Sequence, residues 1–499
     1  MASMTNEHRQ ELLRALRSDS GQAEGARGRT AHNFYPITEH LRALEPDVVL
    51  VVGDRGAGKT QLVAVAGDPD LREAAMRRAP SVQFARGDAA WIKGYPMNHG
   101  PAPSGLQNFA IRHQDSIRAA GQEFWFAYLF RTLWPYLLVD EPDRFASLVN
   151  GSGAEVEERH ADFLRLGNAP LAAIHELDKR LAVEDRWIFV MYDDLDTIYY
   201  ADWWAMGALI RGLVGFWASH GRQWSRIRPK IFLRTDLYRH HGSDVAGADI
   251  AKLAATRVEL SWTDKNLYAA LLKHIANLSE EWFDYCNRGK GEKVRFEPDP
   301  VLEHIPLLVK KEDARPLVER IVGPYMGASS GKGESFKWIL DHLRDGNGKV
   351  SPRSLILLFE NAAIHELGSL RATGAQVLSP TSLRNALDKV SELHVTQASD
   401  EFLWLPMVKE RLKAIPQVPW ETRRMIEAAL KVDWDVWWDR HPEQRPPAES
   451  PRELVDVLLE LGIVRDRGSN KYDVPDLYMK GLGLNRKGGV AMGKRRDPR

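Results

Sequence analysis

The stretch from Asp47 to Thr60 limits what this chain can fold into more than any other. Five apolar residues, Val48 to Val52, all β-branched except Leu50, run straight into Gly53-Asp54-Arg55-Gly56-Ala57-Gly58-Lys59-Thr60. A short apolar run bounded by a turn reads as a parallel strand buried on both faces. The turn needs glycine where side chains would block a close approach or where φ must be positive. Gly53, Gly58, Lys59 and Thr60 fall in the register G-x-x-x-x-G-K-[ST], the Walker A pattern, whose backbone N–H groups cradle phosphates. A helix opening near Lys59 adds its positive dipole end. Lys59 then places a charge at the β- and γ-phosphates, and the Thr60 hydroxyl ligates Mg²⁺. Asp54, Arg55, Gly56, Ala57 and Gln61 complete the expected nucleotide-binding segment.

A second signal stands further along. Trp187-Ile188-Phe189-Val190-Met191-Tyr192 ends in Asp193-Asp194-Leu195-Asp196. That is a Walker B arrangement, a buried strand with carboxylates at its C-terminal edge, where open α/β sheets bind ligands. Asp193 is expected to hold Mg²⁺ and Asp194 to orient or deprotonate an attacking water. Asp196 either supports the metal shell or faces a neighbouring subunit. Pro229 to Asp236 forms another strand, ending in Arg234-Thr235. Arg234 is the first candidate for sensing a γ-phosphate and Thr235 the second. The competing reading is a strand-end arginine paired to a nearby carboxylate. Ser81–Ala85 and Val258–Leu260 bring the expected strands to five, and Trp91–Leu106 reads as a long loop. A short helix from about Thr38 to Leu44, with Thr38 as N-cap, leads into the first strand. The aromatic stripe Phe124, Trp125, Tyr128, Leu129 and Leu133 reads as core on a helix.

Composition sets the frame. A length of 499 residues accommodates two to four domains at roughly 100–200 residues each. Lys+Arg and Asp+Glu both number 68, so no overall basic field draws the chain to nucleic acid or an anionic membrane. The lone Cys286, among Trp282, Phe283 and Tyr285, reads as a packed thiol and rules out an internal disulfide framework. No apolar run approaches the ~18 residues of a membrane span, and the N-terminus lacks the apolar core of a signal peptide. A cytoplasmic location is expected. His240-His241 lies in a polar stretch without a clear set of further metal ligands.

The order GDRGAGKT, YDDLD, FLRTD and VELSW resembles that of the STAND and KAP-type P-loop ATPases, a branch of the additional-strand class to which AAA+ proteins also belong. It is most similar to the soluble KAP-like ATPases of bacterial defence and conflict gene clusters. The resemblance spans about residues 31–270, and more weakly Ser351-Pro352-Arg353 and 461–483. It implies an ATP-dependent switch that forms homo-oligomers and works with a protein effector. The transmembrane helices that KAP proteins often carry between the two Walker motifs have no counterpart here.

The expected organisation is a flexible segment over 1–30, with 18–30 read as flexible after a short charged helix, and an α/β P-loop ATPase core over 31–261. A helical lid over 262–395, a winged-helix domain over 396–485 and a basic tail over 486–499 follow. Ser351 caps a helix with Pro352 at its first position. Arg353 then sits in the first turn, where a cation opposes the helix dipole. A nucleotide phosphate would relieve that mismatch, as the sensor-2 arginine of AAA+ lids does; the alternative is an exposed surface arginine. Ser450, Pro451 and Glu453 form a capping box for a helix ending at Gly462. Two short strands around 466–470 make a wing. The would-be recognition helix carries Glu453, Asp456 and Glu460 against Arg452, which disfavours major-groove reading. Residues 451–499 hold eleven Lys/Arg against seven Asp/Glu. Arg465, Arg467 and Lys471 of the wing, with Arg486, Lys487, Lys494, Arg495, Arg496 and Arg499, leave local nucleic-acid contact as the rival reading. That rival is a DNA-bound AAA+ initiator or loader.

Overall fold

β1 (Leu50–Gly53) is wholly buried and lies inside a five-stranded parallel sheet. The other members are β2 (Asp88–Tyr95), β3 (Arg186–Tyr192), β4 (Ile227–Arg234) and β5 (Val258–Leu260), in the order β2-β3-β4-β1-β5. In the computed structural model the described residues are 5–17, 27–85, 87–95, 103–113, 116–150, 156–198, 203–221, 223–239, 255–287, 294–369, 376–431, 441 and 444–487. The tail residues Lys494 to Arg499, the pair His240-His241 and residues 18–26 lie outside them.

Successive β-strand side chains face opposite ways, and the two faces of this sheet bury different clusters. Leu50, Ile231, Ile188 and Val190 pack with the aromatic helix Ile117–Leu133 and with Trp203–His220. Val51, Phe232, Met191 and Val258 pack with the helix Lys59–Gly67 and the lead-in segment. The stripe Phe124, Trp125, Tyr128, Leu129 and Leu133 is core, as its spacing implies. β4 pairs with both β1 and β3, so the strand bearing the YDDLD carboxylates is not the neighbour of the glycine-loop strand. The α/β core with a parallel P-loop sheet is therefore observed.

The strand count holds, but one member differs. Ser81–Ala85 forms no strand; Val82 and Phe84 pack on the core instead. The fifth strand is β2, whose second part, 91–95, falls in the stretch expected to be a loop. An edge strand buries only part of its surface, so β2 lacks the unbroken apolar run that betrays β3. Contacts hold it in place. Trp91 stacks on Phe189 with ring centroids 4.2 Å apart. At the register shift after Lys93, a Cβ on Gly94 would stand 2.7 Å from Val190 Cγ1 and Tyr192 Cε1. Only glycine lets the strands approach there.

Other local expectations also shift. The lead-in helix runs Thr38–Leu41 and continues as Arg42–Leu44, with the extended Ile37 at the N-cap. Thr38 is thus the first helical residue rather than the cap. Of the segment expected to be flexible, Arg27–Asn33 is helical. Inside the expected lid, β6 (Arg295–Asp299) and β7 (Glu303–Leu307) form a hairpin. Asp299 Oδ1 accepts the Val301 and Leu302 N–H groups at 2.9 Å and closes its turn.

The chain forms two compact units. The sheet unit comprises 21–277 and 294–309, so the Asp264–Ala276 helix and the β6–β7 hairpin belong with the sheet rather than with a lid. Arg78 holds the hairpin through Glu297 (2.7 Å) and Asp299 (3.2 Å). The second unit comprises 1–20, 278–293 and 310–499. Its long helices Pro352–Gly368 and Pro380–Glu401 pack together, and Gly481 N–H donates to Ser391 Oγ at 2.9 Å. The segment 451–487 is thus built onto these helices rather than standing apart. Trp282 Nε1 donates to Leu12 O at 2.8 Å beside the buried Cys286. Ser450 caps Pro451–Glu460 as its sequence predicts, but Glu453 accepts from Glu449 N–H rather than closing a box on Ser450. Among the described residues, no helix is long and apolar enough to cross a membrane.

Candidate functional site

The loop after β1 is built by its glycines. Gly56 and Gly58 have φ of 72° and 98°, and a side chain at either would be strained. Gly58 is the N-cap of the Lys59–Gly67 helix, and the space where its Cβ would stand is open. Lys59 Nζ donates to Gly53 O at 2.9 Å and Asp54 O at 3.1 Å, folding the cation back into its own loop. Trp262, just past β5, donates Nε1–H to Ala57 O at 2.9 Å.

β3 delivers the acids to the same edge. Asp193 is buried and its N–H is held by Tyr95 O at 3.0 Å. Burial raises the Asp193 carboxyl above its ordinary value, opposed chiefly by Thr60 and then by Lys59. Burial lowers the Lys59 ammonium, helped by Arg234 and opposed by Asp193, Asp196 and Asp236. Lys59 and Asp193 thus each favour the other's charged form. Asp194 is exposed and has φ of 49°, a left-handed conformation that aspartate tolerates better than most residues. Its carbonyl accepts from Thr197 N (2.9 Å) and Oγ1 (2.7 Å), which turns the chain sharply away from the strand.

Arg234 stands beside Gly53 in the register of β4 and β1. Its guanidinium grips Asp236 with two bonds, Nε–Oδ1 at 3.1 Å and Nη2–Oδ2 at 2.7 Å, and reaches Asp196 Oδ2 at 3.1 Å. This is the carboxylate-paired arrangement that the sequence left open as the alternative to a phosphate sensor. The next residue differs: Thr235 is buried and its hydroxyl has no hydrogen-bond partner. Asp196 thus serves Arg234. Arg353 is exposed on the Pro352–Gly368 helix, in the second compact unit, with Ser351 capping as expected through Ser354 N–H at 3.0 Å.

Three participants were not singled out from sequence. Asp236 is the main partner of Arg234. Trp262 bonds to the glycine loop, and His40 of the lead-in helix stands edge-on to Trp262, ring centroids 4.9 Å apart. Burial pushes His40 down to about 4, so it is neutral near pH 7, and its Nε2 lies 3.0 Å from Ser261 O. An indole just after a strand end was the one available signal, in the VELSW segment. The donor set fits the group the motif implies. The Thr60 hydroxyl and the Asp193 carboxylate are hard oxygen ligands suited to Mg²⁺, and the unpartnered Thr235 hydroxyl can meet a phosphate oxygen.

No protein-family model matches the chain, and no curated protein matches it. Among solved structures it is similar to the Aeropyrum pernix ORC2 protein in ADPNP–ADP complexes, at 13% identity and a TM-score of 0.34 over 94% of this chain and 96% of the other. It is also similar to the Walker-type ATPase PABY2304 of Pyrococcus abyssi, at 13% identity and a TM-score of 0.35 over 91% and 99%. At such scores these likenesses carry no argument about function.

Proposed function

We propose that this protein binds ATP with Mg²⁺ at the β1 loop and hydrolyses it, acting as a nucleotide-dependent switch. The observation that carries the reading is the parallel sheet order, which brings the glycine loop after β1 and Asp193-Asp194 after β3 to the same C-terminal edge on either side of β4. When bound, Mg²⁺ would be held by Thr60 and Asp193 and would draw charge from the phosphate oxygens. The residues from Gly53 to Gln61 wrap the phosphates with backbone N–H groups. Lys59 exchanges its bonds to Gly53 O and Asp54 O for phosphate oxygens. Asp194 orients the attacking water and takes its proton. Thr235, with a buried and unpartnered hydroxyl, meets the γ-phosphate, and Arg234 acts beside it through its carboxylate pairs.

The finer reading is a switch or assembly ATPase that forms homo-oligomers and licenses a protein effector in a bacterial defence or conflict system. It rests on the resemblance of the motif order. The wing favours it over a DNA-bound initiator or loader. Arg465, Arg467 and Arg486 pair with the buried Asp473, at 3.1, 3.4 and 2.7 Å, and Lys487 pairs with Glu421 at 3.0 Å. Cations so engaged are poorly placed for phosphate contacts.

Turnover by the pure protein tests the reading. Asp194→Asn should bind ATP and fail to hydrolyse it, and a wild-type rate in that variant refutes the role given to Asp194. Binding to duplex DNA that is tight at physiological salt and steeply salt-dependent would favour the initiator reading instead.

A further inference from the structure

Between β2 and β3 lies a helical insert with a second cluster of chemistry-bearing side chains. Glu157 and His160 lie three apart on the helix Val156–Leu166 and so share a face. His113 follows the helix Pro103–Arg112, its N–H still bonded to Phe109 O at 3.0 Å. One ligand atom from each of His113, Glu157 and His160 lies within 4.8 Å of the other two, the only such group among the described residues. His113 Nε2 is 3.2 Å from Glu157 Oε2, near the ~3.3 Å edge of a tetrahedron with 2.0–2.1 Å metal bonds.

The surroundings are those of a built site. His160 is buried, and its Nε2 lies 2.7 Å from Glu123 Oε2 on the Ile117–Leu133 helix. Phe109 packs on both imidazoles, at 4.6 Å from His113 and 5.4 Å from His160. Glu157 Oε1 is buried with no hydrogen-bond partner. A buried carboxylate oxygen normally finds a donor, so this one points to a missing ligand. Among the described residues the exposed Arg112 competes, with Nη1 3.7 Å from Glu157 Oε2.

We infer that His113, Glu157 and His160 bind a divalent first-row transition ion, with zinc as its natural occupant, in a site that ties the helices of this insert together. Two imidazoles and a carboxylate suit zinc, whereas Mg²⁺ and Ca²⁺ prefer oxygen alone. Glu123 is the outer carboxylate that fixes the ring of His160, as metal-binding histidines commonly require. The site shares no residue with the nucleotide loop and stands whether or not the protein hydrolyses ATP.

The test uses the full chain, stripped with a chelator and titrated with zinc alone against a chromophoric competitor. One equivalent should bind and raise the unfolding midpoint as zinc increases. Binding should weaken as pH falls through the histidine range, because protons compete for the ligands. His113→Ala and Glu157→Gln should each lower affinity by at least 100-fold, and Glu123→Gln by about 10–100-fold. Cobalt should give the visible absorption of a four-coordinate site, lost in Glu157→Gln. A double variant at His240 and His241 should bind like wild type. Should His160→Ala fail to fold, the partly exposed His113 carries the test. Absence of stoichiometric zinc binding, or binding unchanged in folded His113→Ala and Glu157→Gln, overturns the assignment.

Discussion

Replacing Arg234 by methionine separates a structural arginine from a phosphate sensor. Arg234 and Asp236 are almost fully enclosed, with side-chain exposures of 9% and 10%. Burial alone raises the Asp236 carboxyl, and the Arg234 guanidinium with nearby backbone amides more than reverses that, leaving it below the usual carboxylate range. Without Arg234, a buried carboxylate stays behind unpaired. Breaking such a pair costs about 3–5 kcal/mol, which in a unit of this size lowers the unfolding midpoint by roughly 10 °C. The sign with pH follows. In wild type the depressed Asp236 stabilises above its unfolded pKa, and that contribution is lost as pH falls through the folded value. In Arg234→Met burial is the largest influence left, opposed only by the backbone amides, so the folded carboxyl rises and the variant should recover part of its deficit on mild acidification. Arg234→Met/Asp236→Leu should recover most of it at pH 7, because both charges are gone. Thermal unfolding of the four proteins of this cycle measures the coupling. A single variant as stable as wild type, or a double variant no better than the single, refutes the argument.

Gly58→Ala should destabilise by about 1–2 kcal/mol through its positive φ alone, since nothing stands near the added Cβ; a midpoint unchanged in differential scanning calorimetry contradicts this. Asp178 accepts Ser225 N, Arg226 N and Ile227 N at 2.7–3.1 Å and fixes the start of β4. Asp178→Ala should therefore cost several kcal/mol by leaving buried donors unpaired, read as a lower denaturant midpoint. Lys273 donates to Ala31 O (2.7 Å) and His32 O (2.8 Å), and burial lowers it to about 7. Above that value the unfolded chain holds a proton that the folded one has released, so stability should rise from pH 7 towards 10, and Lys273→Met should flatten that slope in unfolding measured across pH.

What could be read from sequence follows how locally each feature is encoded. β1, β3 and β4 are buried on both faces, so each shows as an apolar run ending in functional residues. Ser351 and Ser450 cap helices through contacts three residues away, and both are legible. β2 is different. It is an edge strand held by Trp91 on Phe189 and by the space at Gly94, contacts about a hundred residues distant in sequence. A carboxylate pair for Arg234 was legible as an alternative, but not that Asp236, two residues on, would supply it, because a strand end does not announce which way its last side chains turn. Trp262 and His40 meet the loop only through the sheet's folding. The pairing of Arg465, Arg467 and Arg486 with Asp473 is likewise not written in the spacing of the basic residues.

Titration of ATP into the wild-type protein and Lys59→Ala, with and without Mg²⁺, tests the central claim most directly. Lys59 donates only to carbonyls of its own loop, so the substitution should leave the fold intact by circular dichroism. Wild type should bind one equivalent, more tightly with Mg²⁺, and Lys59→Ala should show no saturable binding. Equal binding by the two proteins, or ATP turnover that survives in pure Lys59→Ala, would contradict the assignment of the β1 loop as the nucleotide site.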